Sequence, residues 1–330
     1  MKKFAVITSI FEPSSAVKKI ASLDGWNIIV VADKKTPGDW YCENVEFLSV
    51  SDQLNQKYSI IKHLPWNHYS RKMIGYLYAI AQGADLIADV DDDNIPLSNW
   101  GNIPLADEFD TLSSTENASS FVNIYRFFSN KFVWPRGFPL NLINANQPDS
   151  FHKMAFNVGV WQFLANNDPD VDALYRLLFN DVINFEDHFP IVLDTGLFCP
   201  FNSQNTIFKK EAFPLLYLPA YVSFRFTDIL RGIVAQPILW SSGLRLGFAS
   251  ASALQERNPH DFMKDFESEF TTYLYTEKSS LLAVENTVMG LPMTKNLLGV
   301  YQSLSAEGIV SEQEIELLAA WITDIERLIN

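Results

Sequence analysis

The sequence predicts an α/β protein whose sheet is mostly parallel. Short apolar runs alternate with segments of helical spacing through the first hundred residues. The runs are hydrophobic throughout, which is typical of parallel strands that helices cover on both faces. With 330 residues, 48% of them hydrophobic, the chain is long enough for one large domain or two modest ones.

The first third contains regularly alternating elements. Strands are predicted at 4–10, 26–33, 45–50 and 85–90. Helices are predicted at 14–23, 53–64 and 69–84, the last of them ended by Gly83. Ligands of such sheets bind beyond the carboxyl ends of the strands, and the acidic residues at 89–93 lie at one of these ends.

The middle of the chain is less regular and is rich in Phe, Asn and Pro. Strand-like segments occur at 121–128 and 157–164, and helices are predicted at 170–179 and 227–236. This pattern indicates a second, mixed lobe that closes the site rather than an independent domain.

The chain is predicted to be helical from about residue 262 to its end. The last helix opens with a capping box formed by Ser311 and Glu314. Its predicted apolar stripe consists of Ile315, Leu318, Ala319, Ile322, Ile325 and Ile329. We expect these helices to serve packing or partner binding rather than chemistry.

Charge and composition exclude several classes of protein. A net charge of −14 argues against a nucleic-acid binder, which needs a basic face for phosphates. Cys42 and Cys199 form no metal motif and are expected to be free thiols. No stretch approaches the ~20 apolar residues of a membrane span, and the N-terminal apolar run is better explained as a buried strand than as a signal peptide.

The segment DLIADVDDDNIP at 85–96 carries the strongest chemical signal. A buried strand leads into three consecutive carboxylates, which repel one another unless a positive charge lies among them. In extended chain Asp91 and Asp93 would point to one side and Asp92 to the other. Hard oxygen ligands favour Mg²⁺ or Mn²⁺. The alternative is a solvated acidic turn.

Other motifs are weaker or absent. The acids at 168–172 predict a turn followed by a helix, with carboxylates that favour the helix dipole. Neither acidic run has the glycine and glutamate of a calcium loop. The chain has no G-x-G-x-x-G and no P-loop, so a bound nucleotide would need another group, such as a cation, to neutralise its diphosphate.

Several separated blocks occur in the order found in a known family. They are VITSIFEPSSAVKKIASLDGWNIIVVADKKTP, YSRKMIGYLYAIAQGADLIADVDDDN, DPDVDALYRL, FNSQNTIFKKEAFPLLYLPAYVSFRFTDILRG, and HD near 260. Together they resemble the STELLO family of GT-A-type glycosyltransferases over residues 5–261. A looser likeness extends to plant UDP-arabinopyranose mutases. We expect the chain to differ from plant STELLO proteins in lacking their N-terminal membrane anchor, and it has Met73 where a smaller polar residue is expected.

The resemblance implies a GT-A fold, a nucleotide-sugar donor and a divalent cation. The implied units are a GT-A domain at 1–261, with its nucleotide-sugar half at 1–100 and its acceptor half at 101–261, and a helical extension at 262–330. The residues implied to line the nucleoside pocket are Thr8, Ile10, Phe11 and Asp33. For Ile10 and Phe11, core packing is the alternative.

Further roles follow from the same resemblance. Asp91 would contact the ribose or orient the metal, Asp93 would bind the metal, and His260 would be a third ligand. The remaining residues expected at the donor are Asp92, Arg71, Lys72, Arg225 and Arg231. For Arg71 and Lys72, a solvated helix face is the alternative. A structural or exposed side chain is the alternative for His260.

Asp228 is the candidate catalytic base of an inverting transfer. It follows Thr227 at the predicted start of a helix, and Arg225 and Arg231 flank it. Helix capping by Thr227 or Asp228 is the alternative, and in a retaining enzyme Asp228 would orient the donor sugar. The amides and hydroxyls of 201–206 suit sugar hydroxyls. Trp161 and Trp240 are candidates to stack on an acceptor or to pack in the core.

The sequence therefore predicts a metal-dependent glycosyltransferase of surface polysaccharide synthesis. The expected donor is a UDP-sugar, and the expected acceptor is a glycan or lipid-linked glycan. The alternatives are a nucleotide-sugar mutase and a non-catalytic binding partner of a polysaccharide-synthesising complex. We expect a cytoplasmic protein without a membrane span, with peripheral association at the inner membrane face and homo-oligomerisation through the C-terminal helices as further options.

Overall fold

A computed structural model describes residues 1–116, 118–179, 181–256 and 261–329. The strands are β1 Lys3–Ser9, β2 Trp26–Ala32, β3 Val45–Leu48, β4 Leu86–Val90, β5 Asn94–Pro96, β6 Phe109–Leu112, β7 Phe151–Met154, β8 Asn157–Asn167, β9 Ile191–Leu193, β10 Asn205–Lys209 and β11 Leu244–Gln255. The α-helices are α1 Ser15–Ala21, α2 Val50–Asn55, α3 Lys72–Ala81, α4 Ala173–Leu178, α5 Thr227–Ser241, α6 Phe262–Glu285, α7 Met293–Ala306 and α8 Glu312–Ile329.

All eleven strands of the described residues belong to one sheet. Its order is β3-β2-β1-β4-β10-β8-β11-β9-β6-β7, and β5 pairs with β11. The first four strands in this order are parallel, whereas β10 runs antiparallel to both of its neighbours and the remainder is mixed. The predicted α/β class is confirmed, with a parallel N-terminal half continued by a mixed half, as the GT-A resemblance implies.

The parallel half places three strand ends at one edge. Ser9 of β1 is in register with Ala32 of β2, and Val6 is in register with Asp89 of β4. Helix α3 lies so close to this sheet that a Cβ at Gly75 would be 2.6 Å from a methyl group of Val6. The carboxyl ends of β1, β2 and β4 therefore lie side by side at the same edge of the sheet.

Two predicted elements of the chain differ from the structure. The helix predicted at 53–64 is divided into α2 and a 3₁₀ turn at Ser59–Lys62, because Ser49 and Asp52 form a capping box that starts α2 earlier. The strand predicted at 121–128 contains a 3₁₀ turn, Ile124–Phe127, which Asn123 caps with its side chain. The segment at 157–164 forms the long strand β8, as predicted.

The last helix has a different buried face from the predicted one. Glu314 does not close a capping box, because its buried carboxylate accepts hydrogen bonds from the backbone N–H groups of Ala220 and Tyr221 and from the Tyr217 hydroxyl. Asp324 is also buried and accepts from the backbone N–H of Ser59 and Ile60. These hydrogen bonds to distant segments of the chain hold Glu314 and Asp324 on the buried face of α8. Its buried residues are Glu314, Leu317, Leu318, Ala320, Trp321, Asp324 and Ile325.

The C-terminal helices share the main hydrophobic core. Leu297 and Tyr301 of α7 and Trp321 of α8 belong to the same cluster of buried side chains as Val6 of β1 and Ile74 of α3. Packing is therefore continuous across residue 261, where the sequence suggests a boundary. Among the described residues, no helix has both the length and the apolarity to cross a bilayer, and Cys42 and Cys199 are free thiols.

Candidate active site

A cavity of about 320 Å³ opens beyond the carboxyl ends of β1, β2 and β4. Its lining includes Thr8, Ser9, Ile10, Phe11, Asp33, His68, Tyr69, Asp91, Asp92, Asp93, Arg136, Asp170, Ser203, Gln204, Phe224, Arg225, Asp228 and Gln255. The ends of the parallel strands supply one wall, and the opposite wall includes Arg136, Asp170, Ser203 and Asp228. The location is the one at which open α/β sheets bind ligands.

The three consecutive acids are held by different neighbours. Asp91 accepts a hydrogen bond of 2.9 Å from Lys72, and Asp92 accepts one of 2.5 Å from Ser9. Asp93 accepts one of 2.8 Å from the amide of Gln255. Burial raises the pKa of Asp91 to about 6, although the ammonium of Lys72 opposes this shift. All three carboxyl groups line the cavity, rather than forming a solvated turn.

A buried ion network lies beneath these acids. The carboxylate of Asp89 is 2.9 Å from Lys72 Nζ and 2.7 Å from Arg231 Nη1. Burial opposes ionisation of Asp89, but the two cations hold its pKa below the ordinary value. Burial likewise opposes the charge on Lys72, but Asp89 and Asp91 raise its pKa. The expectation that Lys72 and Arg231 contact the diphosphate is corrected here, because both are buried and neither lines the cavity.

Arg71 was also expected at the diphosphate of the donor, and it lies elsewhere. Its side chain donates to Gln53 Oε1 through Nε and Nη2, and its guanidinium stacks 3.6 Å from the ring of Trp66. The residue is buried and does not line the cavity. Met73, where a smaller polar residue was expected, is a core residue whose sulfur accepts the backbone N–H of Leu218.

The residues expected at the nucleoside lie together at the cavity. Ile10 and Phe11 are exposed at its rim rather than packed in the core. Asp33 is buried and accepts hydrogen bonds from the backbone N–H groups of Lys34 and His68. Thr8 lines the same wall at the end of β1. A planar ring could therefore rest on apolar surface beside a fixed carboxylate.

Asp228 lies on the opposite wall in an ion pair with Arg136. The two guanidinium Nη atoms are 3.1 and 2.9 Å from the two carboxylate oxygens. The Tyr69 hydroxyl and the backbone N–H groups of Ser203 and Ile229 also donate to this carboxylate. The N-cap of α5 has no side-chain hydrogen bond, so neither Thr227 nor Asp228 performs the capping that was the alternative.

Arg136 and Asp170 are site residues that the sequence did not indicate. Arg136 donates to both Asp170 and Asp228, so one guanidinium joins two buried carboxylates in the cavity wall. Arg225 lines the cavity too, and its Nε is 2.6 Å from Glu269 of α6. The acidic segment at 168–172 forms the predicted turn and helix, with Asp172 as the N-cap of α4. Its central Asp170 nevertheless reaches the site.

An aromatic group forms part of the wall next to Asp228. Tyr69 stacks on His68 with ring centroids 5.3 Å apart, and Phe224 meets Tyr69 edge-on at 4.8 Å. Burial lowers the pKa of His68 to about 4, so its imidazole is neutral at pH 7. Phe224 is exposed and presents an apolar face toward the cavity opening.

The polar segment at 201–206 contributes Ser203 and Gln204 to the lining, as expected for sugar recognition. Gln204 donates to Gln255, which in turn donates to Asp93, so an amide chain connects the two walls. Trp161 and Trp240 are buried, pack against phenylalanine rings and do not line the cavity. Core packing, the alternative given for both tryptophans, is what the structure has.

Asp91 and Asp93 bring to the cavity carboxylate oxygens, the ligand type that magnesium and manganese prefer. These ions are commonly held by one or two carboxylates plus phosphate oxygens of a substrate, rather than by a complete protein cage. Within the described part of the chain no three His, Cys, Asp or Glu side chains form a metal site by themselves. The expected third ligand, His260, lies outside the described residues.

Comparison with known proteins finds similarity to one family of glycosyltransferases. The family model for STELLO glycosyltransferases matches residues 225–329, which include Asp228. Two relatives from Arabidopsis thaliana, probable glycosyltransferases STELLO1 and STELLO2, are 28% and 27% identical over 98% of this chain. The resemblance to the STELLO family is confirmed. This chain spans 44% of the length of each of these relatives.

Solved structures give weaker likenesses. A mycobacterial protein aligns over 88% of this chain and 75% of its own length, with 10% identity and a TM-score of 0.40. Glucosyl-3-phosphoglycerate synthase from Mycobacterium tuberculosis aligns over 88% and 80%, with 10% identity and a TM-score of 0.37. These scores are too low to support an argument about fold or function.

Proposed function

We propose that this chain is a metal-dependent glycosyltransferase. It moves a sugar from a nucleoside diphosphate-sugar, with a UDP-sugar favoured, to a glycan or lipid-linked glycan acceptor. The observation that carries the proposal is a single cavity with Asp91 and Asp93 on one wall and the Asp228–Arg136 pair on the other. The probable glycosyltransferases that the chain resembles support the same reaction class.

The donor would lie along the strand ends. Its base would rest on Ile10 and Phe11, and its ribose would face Asp33 or Asp91. A divalent cation held by Asp91 and Asp93 would place positive charge against the leaving diphosphate, where charge grows most in the transition state. Lys72 holds Asp91 in position by a hydrogen bond, and the amide of Gln255 holds Asp93 in the same way.

Asp228 would serve as the base on the acceptor side. Its carboxylate would accept the proton of an acceptor hydroxyl while that oxygen attacks the anomeric carbon and the bond to the diphosphate oxygen breaks. Five donors already contact this carboxylate, so the acceptor hydroxyl must replace one of them. Among them, Tyr69 is the uncharged side-chain donor, and we propose that its hydroxyl is the one displaced.

A retaining transfer is the second candidate for the same site. Arg136 contacts both oxygens of Asp228 and also holds Asp170, which suits a carboxylate that fixes a guanidinium beside the donor sugar. In that case Asp228 would act by orienting Arg136 rather than by taking a proton. The anomeric configuration of the product, measured by NMR, distinguishes the two candidates.

The activity is tested with purified protein, Mn²⁺ and a panel of UDP-sugars, with release of UDP as the measured quantity. A transferase hydrolyses donor slowly without acceptor and releases UDP faster when a suitable glycan is added. NMR of a reaction without acceptor tests the mutase alternative, because ring contraction of the donor sugar would identify a mutase. Nucleotide binding without any turnover across the panel would support a non-catalytic partner.

A further inference from the structure

Helix α6 has the opposite arrangement from a usual surface helix, because its fully buried residues are polar or small and several large apolar residues are exposed. Its buried residues are Glu269, Thr272, Thr276, Ser279, Ser280 and Ala283, all polar or small. Its outward face carries large apolar side chains instead: Met263 is 61% exposed, Phe270 54%, Leu274 53% and Leu281 60%. A helix in contact with water normally places its apolar stripe toward the core. The exposed apolar stripe of α6 therefore indicates a surface that another molecule covers.

The outward residues have the spacing of a coiled-coil seam. Seven of its exposed positions, 263, 267, 270, 274, 277, 281 and 284, follow one another in alternating steps of four and three residues. Such a 3.5-residue period keeps one seam of a helix against a partner helix. The seam runs nearly the whole length of α6, a helix of 24 residues or about 36 Å.

We propose that the outward face of α6 binds the same face of a second copy of this chain, as an antiparallel helix pair around a twofold axis. The spacing is self-complementary in that orientation. Each seam residue of one copy meets the residue of the second copy whose number, added to its own, gives 551. Phe270 then faces Leu281 of the second copy, and the two equivalent apolar contacts lie on either side of the central layers, in which Leu274 faces Glu277.

Charge favours the antiparallel orientation. Two glutamates, Glu267 and Glu277, occupy seam positions. In a parallel pair each would face its own copy, and like charges would meet in two layers. In the antiparallel pair Glu267 faces Val284 and Glu277 faces Leu274. At the flanks Lys264 of one copy lies beside Glu285 of the other, so opposite charges meet twice.

Charge also disfavours a lipid surface as the occupant. Helices that lie on membranes carry Lys and Arg on their polar face, which attract anionic lipid. The exposed charged residues of α6 include Lys264 and Lys278 but also Glu267, Glu277 and Glu285. In addition, Lys278 is paired with Glu307 of the chain at 2.6 Å. The face has no excess of positive charge, and the chain as a whole is acidic.

The test is the mass of the full chain in solution, by sedimentation velocity across a concentration series. Wild type is expected to be a dimer at micromolar concentrations. The double variant Leu274→Asp, Leu281→Asp is expected to be a monomer with an unchanged circular dichroism spectrum. Leu105→Asp is the matched control, because Leu105 is 92% exposed far along the chain from α6, and this variant should remain a dimer.

A charge-reversal pair tests the orientation. Lys264→Glu should weaken the dimer roughly tenfold, because two attractive pairs become repulsive. Adding Glu285→Lys should restore the wild-type dissociation constant. A monomeric wild type, a dimer insensitive to the Leu274 and Leu281 changes, or no rescue by Glu285→Lys would overturn the proposal. Leu274-dependent flotation with phosphatidylcholine–phosphatidylglycerol vesicles would also overturn it. None of these readouts depends on glycosyl transfer.

Discussion

The ammonium of Lys72 lies 2.9 Å from Oδ1 of Asp91, although Lys72 is buried and Asp91 faces the cavity. The same ammonium is 2.9 Å from Asp89 in the core of the sheet. One buried cation thus joins the interior of β4 to the first acid of the site. It fixes the position of Asp91 without itself contacting a ligand in the cavity.

Removing this cation should destabilise the fold. Lys72→Met leaves two carboxylates of a buried network without one of their counter-charges, and we expect the free energy of unfolding to fall by about 3–5 kcal/mol. Urea denaturation measures the loss. Lys131→Met is the control, since Lys131 pairs with Asp181 at 3.5 Å on the surface and should change stability by less than about 1 kcal/mol. Equal losses in both variants would contradict the account.

Asp228→Asn should separate binding from chemistry. The amide cannot take a proton, and its NH2 group cannot accept from the donors that contact one carboxylate oxygen, so we expect kcat to fall about 10²–10⁴-fold while the Kd for UDP stays unchanged. Steady-state kinetics and calorimetry measure the two quantities. Asp194→Asn, in a carboxylate paired with Arg245 outside the cavity, should leave kcat unaltered. An Asp228→Asn enzyme of wild-type kcat would exclude Asp228 as the base.

Glu314 should make stability depend on pH. Burial raises its pKa from the ordinary value of 4.5 to about 7, despite the hydrogen bonds it accepts. The folded state therefore binds a proton that the unfolded state has lost between these values. Stability from this group is fully present below about pH 4.5 and falls by roughly 3 kcal/mol as the pH rises through 7. Glu314→Gln should remove this fall, so the variant gains stability relative to wild type between pH 5 and 8. A difference that does not vary with pH would contradict this cause.

Gly75 should tolerate no side chain. A Cβ there would lie 2.6 Å from Val6 and 2.7 Å from Val31, so Gly75→Ala must push α3 away from the sheet. We expect a loss of about 1–3 kcal/mol in the free energy of unfolding. Gly38→Ala is the matched control, because a Cβ at Gly38 meets no atom within 4 Å. Thermal or urea denaturation of the two variants should therefore give clearly different midpoints.

Local signals in the sequence predicted the parallel half of the sheet and the acids at its edge. The apolar strands and Asp91–Asp93 are adjacent in the chain, so their relation needs no knowledge of the fold. Arg136 and Asp170 reach the site only because the fold pairs Pro135 with Val171 and brings Arg136 against Asp228, which are distant in sequence. No spacing of residues in the sequence predicts the contacts of Arg136 with Asp170 and Asp228.

The main incorrect predictions from the sequence concerned charged residues next to a motif. Arg71 and Lys72 were expected at a diphosphate, because sequence alone cannot tell a ligand contact from a buried ion pair. Glu314 has the spacing of a capping box, yet three donors from the chain at 217–221 take its carboxylate. In α6 the large apolar residues Phe270, Leu274 and Leu281 face outward, and the fully buried residues of the helix are polar or small.

The central claim is that Asp93 helps a cation hold the diphosphate of a nucleotide-sugar. Titration calorimetry of UDP with Mn²⁺, and again with EDTA, tests it most directly on wild type, Asp93→Ala and the exposed-acid control Asp107→Ala. The account predicts Mn²⁺-dependent binding in wild type and Asp107→Ala, and a Kd at least about tenfold higher in Asp93→Ala, or 1.4 kcal/mol. Equal affinity in Asp93→Ala and wild type with Mn²⁺, in folded protein, would contradict it.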